Sequence, residues 1–93
     1  MAARPEILTQ LARMLGDDSL RSATDAQVRA AVERRFDVLV AAVVAETADS
    51  DDVFDRESAL RYATLRLEAL GAVLSPETAS RLKDAVTPRL ASW

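Results

Sequence analysis

Between Phe36 and Ala45 the chain reads FDVLVAAVVA, in which Asp37 is the single charged residue. At about 100° per residue, apolar side chains leave a helix of this composition on nearly every side. A surface helix of a small domain normally keeps one polar face. This segment must therefore lie at the centre of a bundle, or share its second side with a partner. A bilayer does not resolve the problem, because the run is about half the roughly 20 apolar residues that a membrane span requires.

The rest of the sequence agrees on helix. Period-two alternation is absent, while apolar spacings of three and four recur throughout. We read the chain as all-α: a small four-helix bundle-like domain over residues 1–93, with helices at about 5–15, 25–48, 53–71 and 76–86. Loops are expected at 16–24 and 49–52, and a short tail at 87–93. Pro5 suits a first helical turn, and Ile7, Leu8, Leu11, Met14 and Leu15 share one face before Gly16 ends the helix. Met14 is read as core filler. Thr24, followed three residues later by Gln27, forms a capping-box pattern. Ser75, Pro76 and Glu77 supply the N-cap, first residue and acidic first turn of the last helix. Pro88 should end or kink that helix, leaving Leu90 and Trp93 on the tail, with Trp93 either docking on the bundle or anchoring a partner.

Composition narrows the chemistry. A chain of 93 residues supports one core. Aromatic residues make up only 4%, so that core must rest on Leu, Val and close helix approach. There is no Cys and no His, which removes thiol nucleophiles, disulfides, the commonest general base and the commonest metal ligand. Net charge is −3, with Lys83 the single lysine, so no basic face for phosphate is evident and nucleic acid is not the expected partner. From the Ala, Arg, Val and Asp bias with scarce Lys, a high-GC bacterial or phage genome is the expected origin. MAARPEILTQLARML is amphipathic without the apolar run of a signal peptide, so a cytoplasmic location is expected, with no membrane, metal or cofactor involved.

Two helices carry a surplus of apolar positions. On the second, Val28, Val32, Phe36, Leu39, Val40 and Val43 make a core face. Ala31, Val38, Ala41, Ala45 and Ala48 make a second seam of small side chains, with Arg34 in the missing heptad position. On the third, Leu60, Ala63, Leu67, Leu70 and Leu74 make the strong face, while Phe54, Tyr62, Leu65, Ala69, Ala72 and Val73 make another. Two short flanking helices have difficulty covering all four faces, and contiguous uncovered apolar surface marks an interaction site. The expected interface is therefore Ala31, Arg34, Val38, Ala41, Ala45 and Ala48 with Phe54, Tyr62, Leu65, Ala69 and Val73. If the seam is instead intramolecular, Ala41→Glu or Ala45→Glu should unfold the domain.

Three further motifs carry other chemistry. The acidic loop Asp49, Asp51, Asp52 and Asp55 lacks the Gly and terminal Glu of a calcium loop, since the corresponding positions are Phe54 and Leu60. It reads as a solvated helix-capping segment, with contact to a basic partner surface or phosphate mimicry as alternative uses. Residues 65–86 have the outline of a helix-turn-helix that would offer Thr78, Ser80, Arg81 and Lys83 to a groove, against Glu77 and Asp84 on the same helix. Arg34, Arg35, Arg61 and Arg66 are expected to be solvated or to pair within their helices with Glu33, Asp37, Glu57 and Glu68. ERR at 33–35 followed by DRE at 55–57 resembles the helical chorismate mutases over about a third of the chain. That resemblance implies a dimeric enzyme in which Arg34 or Arg35 and Arg56 clamp carboxylates and Glu57 faces the substrate. Ala45 stands where the family's late lysine would fall, so the cation needed at the ether oxygen is missing.

We therefore expect a non-catalytic helical interaction or assembly module (an adaptor, inhibitor or structural subunit) acting as a homodimer or on another protein. The alternative is a helix-turn-helix regulator using residues 65–86.

Overall fold

The computed structural model describes residues 4–91. They form five α-helices and no strand: α1 (Arg4–Leu15), α2 (Asp25–Arg34), α3 (Phe36–Asp49), α4 (Arg56–Gly71) and α5 (Pro76–Leu90). A 3-10 turn, Asp18–Ser22, lies between α1 and α2. The all-α expectation holds, while the division into four helices does not. The central helix is α3, which packs against α1, α4 and α5.

The local signals act where the chain places them. Gly16 has φ 65°, a conformation that an L side chain enters at a cost, and the Asp17 N–H reaches back to the Ala12 carbonyl at 2.9 Å in a Schellman-type end to α1. Thr24 and Gln27 make both bonds of the capping box on α2. Ser75 accepts the Thr78 N–H at the start of α5. Leu11, Leu15, Val28, Val32, Leu39, Val43, Leu70, Leu82, Val86 and Leu90 are fully buried, and Met14 joins this core at 8% exposure.

Four expectations are corrected. The helix expected over 25–48 is two helices, broken at Arg35 (φ −126°, ψ 37°). Neither Pro nor Gly marks the break, and backbone bonds still run through it from the Arg35 N–H to Ala31 and from the Leu39 N–H to Arg35. What coincides with it is tertiary. The Arg35 guanidinium donates to the Leu15 carbonyl at the end of α1, and Phe36 receives Arg81 of α5 on its ring.

The loop expected at 16–24 contains the 3-10 turn, whose Leu20 is buried in the core. The start of α4 moves from Val53 to Arg56 because the effective cap is Asp55. Its carboxylate accepts the Ser58 N–H at 2.8 Å, and Ser58 Oγ accepts the Asp55 N–H at 3.1 Å. Asp49 to Asp52 offer no equivalent partner three residues on.

Finally, α5 passes through Pro88 to Leu90. One backbone bond lost near a helix end is worth about 0.5–1.5 kcal/mol net. Burying a leucine contributes about 1.5–3 kcal/mol, and Leu90 is only 1% exposed. The leucine wins, so the last turn stays on the core. Trp93 lies outside the described residues.

Candidate interaction surface

Three neighbours take the Leu39, Val40 and Val43 side of α3 into the core. Its opposite side is left to solvent. Val38 is 40% exposed, and Ala41, Ala45 and Ala48 are all exposed. The only charges on α3's exposed side are Asp37 and Asp49, at its two ends. Arg34 is exposed at the end of α2, immediately before the break. Ala31, expected in the same seam, is instead 3% exposed and part of the core. The break at Arg35 explains the difference, because it ends the continuous phase that would have carried Ala31 onto the α3 face.

The second expected face divides as well. Phe54 and Leu65 are the most exposed large apolar side chains among the described residues, at 79% and 63%. Tyr62 and Ala69 are half-buried, and Val73 is buried at 2%. Val73 follows the end of α4 at Gly71, where the chain turns inward and carries Val73 and Leu74 into the core. Tyr62, Leu65, Arg66 and Ala69 of α4 meet Gln10 of α1 and Asp52 around a groove of about 310 Å³.

Beside this groove lies an ionic cluster that sequence reasoning missed. Glu46 of α3 accepts from Arg13 of α1 at 2.6 Å and lies 3.6 Å from Arg66 of α4. Arg66 in turn donates to the Tyr62 hydroxyl at 3.2 Å. Arg66 is therefore not an intrahelical partner of Glu68, and Tyr62 is held from its own helix. Glu46 is the one acidic residue in the interior of α3, and that isolation was its available sequence signal.

A second cross-link ties α2 to α5. Arg81 reaches both carboxylate oxygens of Glu33 at 2.9 and 3.1 Å, and Thr78 donates to the same carboxylate at 3.0 Å. The hydrogen bonds from Arg81 and then Thr78 hold the Glu33 carboxyl below its ordinary range. Arg81 also stacks on Phe36, 4.6 Å from the ring centre. Two of the side chains that a helix-turn-helix would present to a groove are thus engaged within the protein. Among those four, Ser80 and Lys83 remain outward.

The acidic residues Asp49, Asp51 and Asp52 are exposed and make no ion pair among the described residues, whereas Asp55 is occupied as the α4 cap. Hydrogen bonds from Ser58 hold the Asp55 carboxyl low. Among the described residues, no group of three or more acidic side chains is placed to hold a metal ion, and no helix is long and apolar enough to cross a membrane. A cavity of about 480 Å³ between the 3-10 turn and α2 is lined by Asp17, Ser19, Gln27 and Arg34, among others. Asp17 is held low by hydrogen bonds from the Ser19 hydroxyl and backbone N–H. No α4 residue lines this cavity, so Arg34 is not brought together there with Arg56 and Glu57 as a carboxylate clamp. No family model matches the sequence, and no curated protein or solved structure resembles it significantly.

Proposed function

We propose that this protein is a non-catalytic helical interaction module that acts as a homodimer, with the outer face of α3 as the principal contact. One observation carries the reading: the central helix of the fold turns Val38, Ala41, Ala45 and Ala48 to solvent, while its interior charge, Glu46, is turned toward Arg13 of α1 and Arg66 of α4. Small side chains let two helix backbones approach to about 8 Å, at the close end of the usual range, and gain dispersion contacts along their length. Phe54, Tyr62 and Leu65 supply larger apolar side chains, whose burial contributes about 1.5–3 kcal/mol for each one fully covered. Engagement of Arg81 and Thr78 by Glu33, together with the acidic balance of the chain, weighs against the nucleic-acid reading.

Size-exclusion chromatography with light scattering over a hundredfold concentration range tests the proposal. A dimer mass that falls toward the monomer on dilution, or holds throughout, supports it. A monomer at every concentration overturns it.

A further inference from the structure

Residues 25–49 contain neither Gly nor Pro, yet Arg35 alone divides them into two helices. The Arg35 N–H still reaches the Ala31 carbonyl at 3.1 Å and its carbonyl still accepts the Leu39 N–H at 3.1 Å, so the helical ladder is interrupted only between these two bonds. The bend is nonetheless sharp. As one straight helix, residues 25 and 49 would lie about 36 Å apart. Here Arg4 of α1 reaches Asp25 at 2.8 Å, while Gln10, about 9 Å further along α1, lines a groove with Asp52. Two lobes meet at this bend. In the first, Leu20 of the 3-10 turn is buried and α1 is tied to the start of α2; in the second, α3, α4 and α5 pack on one another. Arginine is a good helix former, so the bend at φ −126° and ψ 37° is held by contacts between the lobes and not by local preference. Arg13 meets Glu46 at 2.6 Å, and Arg81 and Thr78 meet Glu33 at 2.9 and 3.0 Å.

We infer that Arg35 is a hinge, and that the chain has a second, domain-swapped state. In it residues 25–49 form one straight helix, and the α1–α2 lobe of each copy packs on α3, α4 and α5 of the other. The fold itself names the occupant, because the surface that straightening uncovers is the one that α1 and α2 already cover. The exchange re-forms the contacts between the lobes, now between copies instead of within one. A connection of a single residue with helix formers on both sides favours it, since straightening completes the ladder at two hinges. The entropy of association opposes it, so concentration decides between the two states. The hinge also accounts for the single helix that the sequence suggests over 25–48: local preference describes the open chain, and contact between the lobes bends it. This state does not rest on the outer α3 contact proposed above.

The natural absence of cysteine makes the test direct. Arg13 and Glu46 face each other across the lobes, so Arg13→Cys and Glu46→Cys chains are mixed in denaturant, refolded together at millimolar or micromolar concentration, and treated with a short bis-maleimide. Covalent dimers should form in the mixture refolded at millimolar concentration, in neither variant refolded alone, and far less at micromolar concentration. Arg35→Gly in both chains should lower the dimer-to-monomer ratio about tenfold, because glycine weakens a helix interior about three- to fourfold in each copy. Arg35→Ala should keep at least the original ratio. No covalent dimer at either concentration, or equal ratios from Arg35→Gly and Arg35→Ala, would overturn the hinge. Ala45→Glu should leave the cross-linked dimer unchanged; its loss would overturn the swap in favour of the outer α3 contact. Wild type gives a reading that needs no cysteine. Its dimer, refolded at millimolar concentration, should persist for hours on dilution in the cold, because the lobes part only by exposing the core. Separation within the time of mixing would overturn the swap and leave the outer contact standing.

Discussion

Ala45→Glu separates surface from core more sharply than any other change, because Ala45 is exposed at the middle of the proposed contact. Within a single copy the substitution should be mild. Glutamate lies a few tenths of a kcal/mol below alanine in helix propensity, on a scale that spans about 0.7 kcal/mol for ordinary residues. A new like-charge pair with Asp49, four residues on, adds about 0.2–0.5 kcal/mol. The total stays below about 1 kcal/mol, which for a domain of this size lowers Tm by no more than about 4–8 °C. Within the proposed dimer the substitution brings two carboxylates into the contact, one from each copy, on a face whose neighbouring side chains are Val38, Ala41 and Ala48. Desolvating an unpaired carboxylate costs several kcal/mol. Even about 2 kcal/mol per copy, about 4 in total, raises Kd about a thousandfold.

Light scattering over a concentration series and a far-UV circular dichroism melt read the two effects separately. The expected result is a monomer with native helicity. Ala26→Glu, which adds the same charge on an exposed part of α2, should leave the dimer intact. A persistent Ala45→Glu dimer would refute the α3 contact. An unfolded Ala45→Glu protein would refute the placement of Ala45 on the outside.

Other perturbations test the fold that presents this face. Leu39→Ala, at a fully buried position on the inner side of α3, should cost about 2–5 kcal/mol in chemical denaturation. Gly16→Ala should destabilise by about 1 kcal/mol through backbone strain at positive φ alone, since nothing lies within 4 Å of the added methyl group. Ser75→Ala should cost about 1 kcal/mol by removing the α5 cap. Glu33 has a carboxyl pKa depressed in the folded state, so its contribution is full above the ordinary value of 4.5 and declines as pH falls below it. The Tm difference between wild type and Glu33→Gln should therefore be largest near neutral pH and shrink in acid. A difference that grows in acid would contradict the Glu33–Arg81 link.

Several of these features are legible in the sequence alone. Thr24 with Gln27, and Ser75 before Pro76, are legible as caps because the Thr24, Gln27 and Ser75 side chains answer backbone N–H groups three residues away, and such partners are close in the sequence. The inner faces of α1 and α3 follow from apolar periodicity. Asp55 is harder to read, because its partner Ser58 gives a less familiar version of the box, and the denser acidic run just before it sets the expected boundary too early. The Glu46 cluster joins α1, α3 and α4, and the Glu33–Arg81 link spans 48 positions. Neither has a local signature, since both depend on which helices become neighbours.

By itself, the sequence determined that the chain is helical, where most of its helices begin, and that two of them carry more apolar surface than a polar-backed helix should. Periodicity sets the phase of side chains around one axis and is silent about which neighbour covers them. Tertiary packing made that choice. Burying the Leu39, Val40 and Val43 side removes far more apolar area from water than burying alanines, at about 25 cal/mol per Å². The larger side chains therefore took the contacts with α1, α4 and α5. Ala31 and Val73 were drawn inward with the break at Arg35 and the turn after Gly71, while Val38, Ala41, Ala45 and Ala48 were left outside.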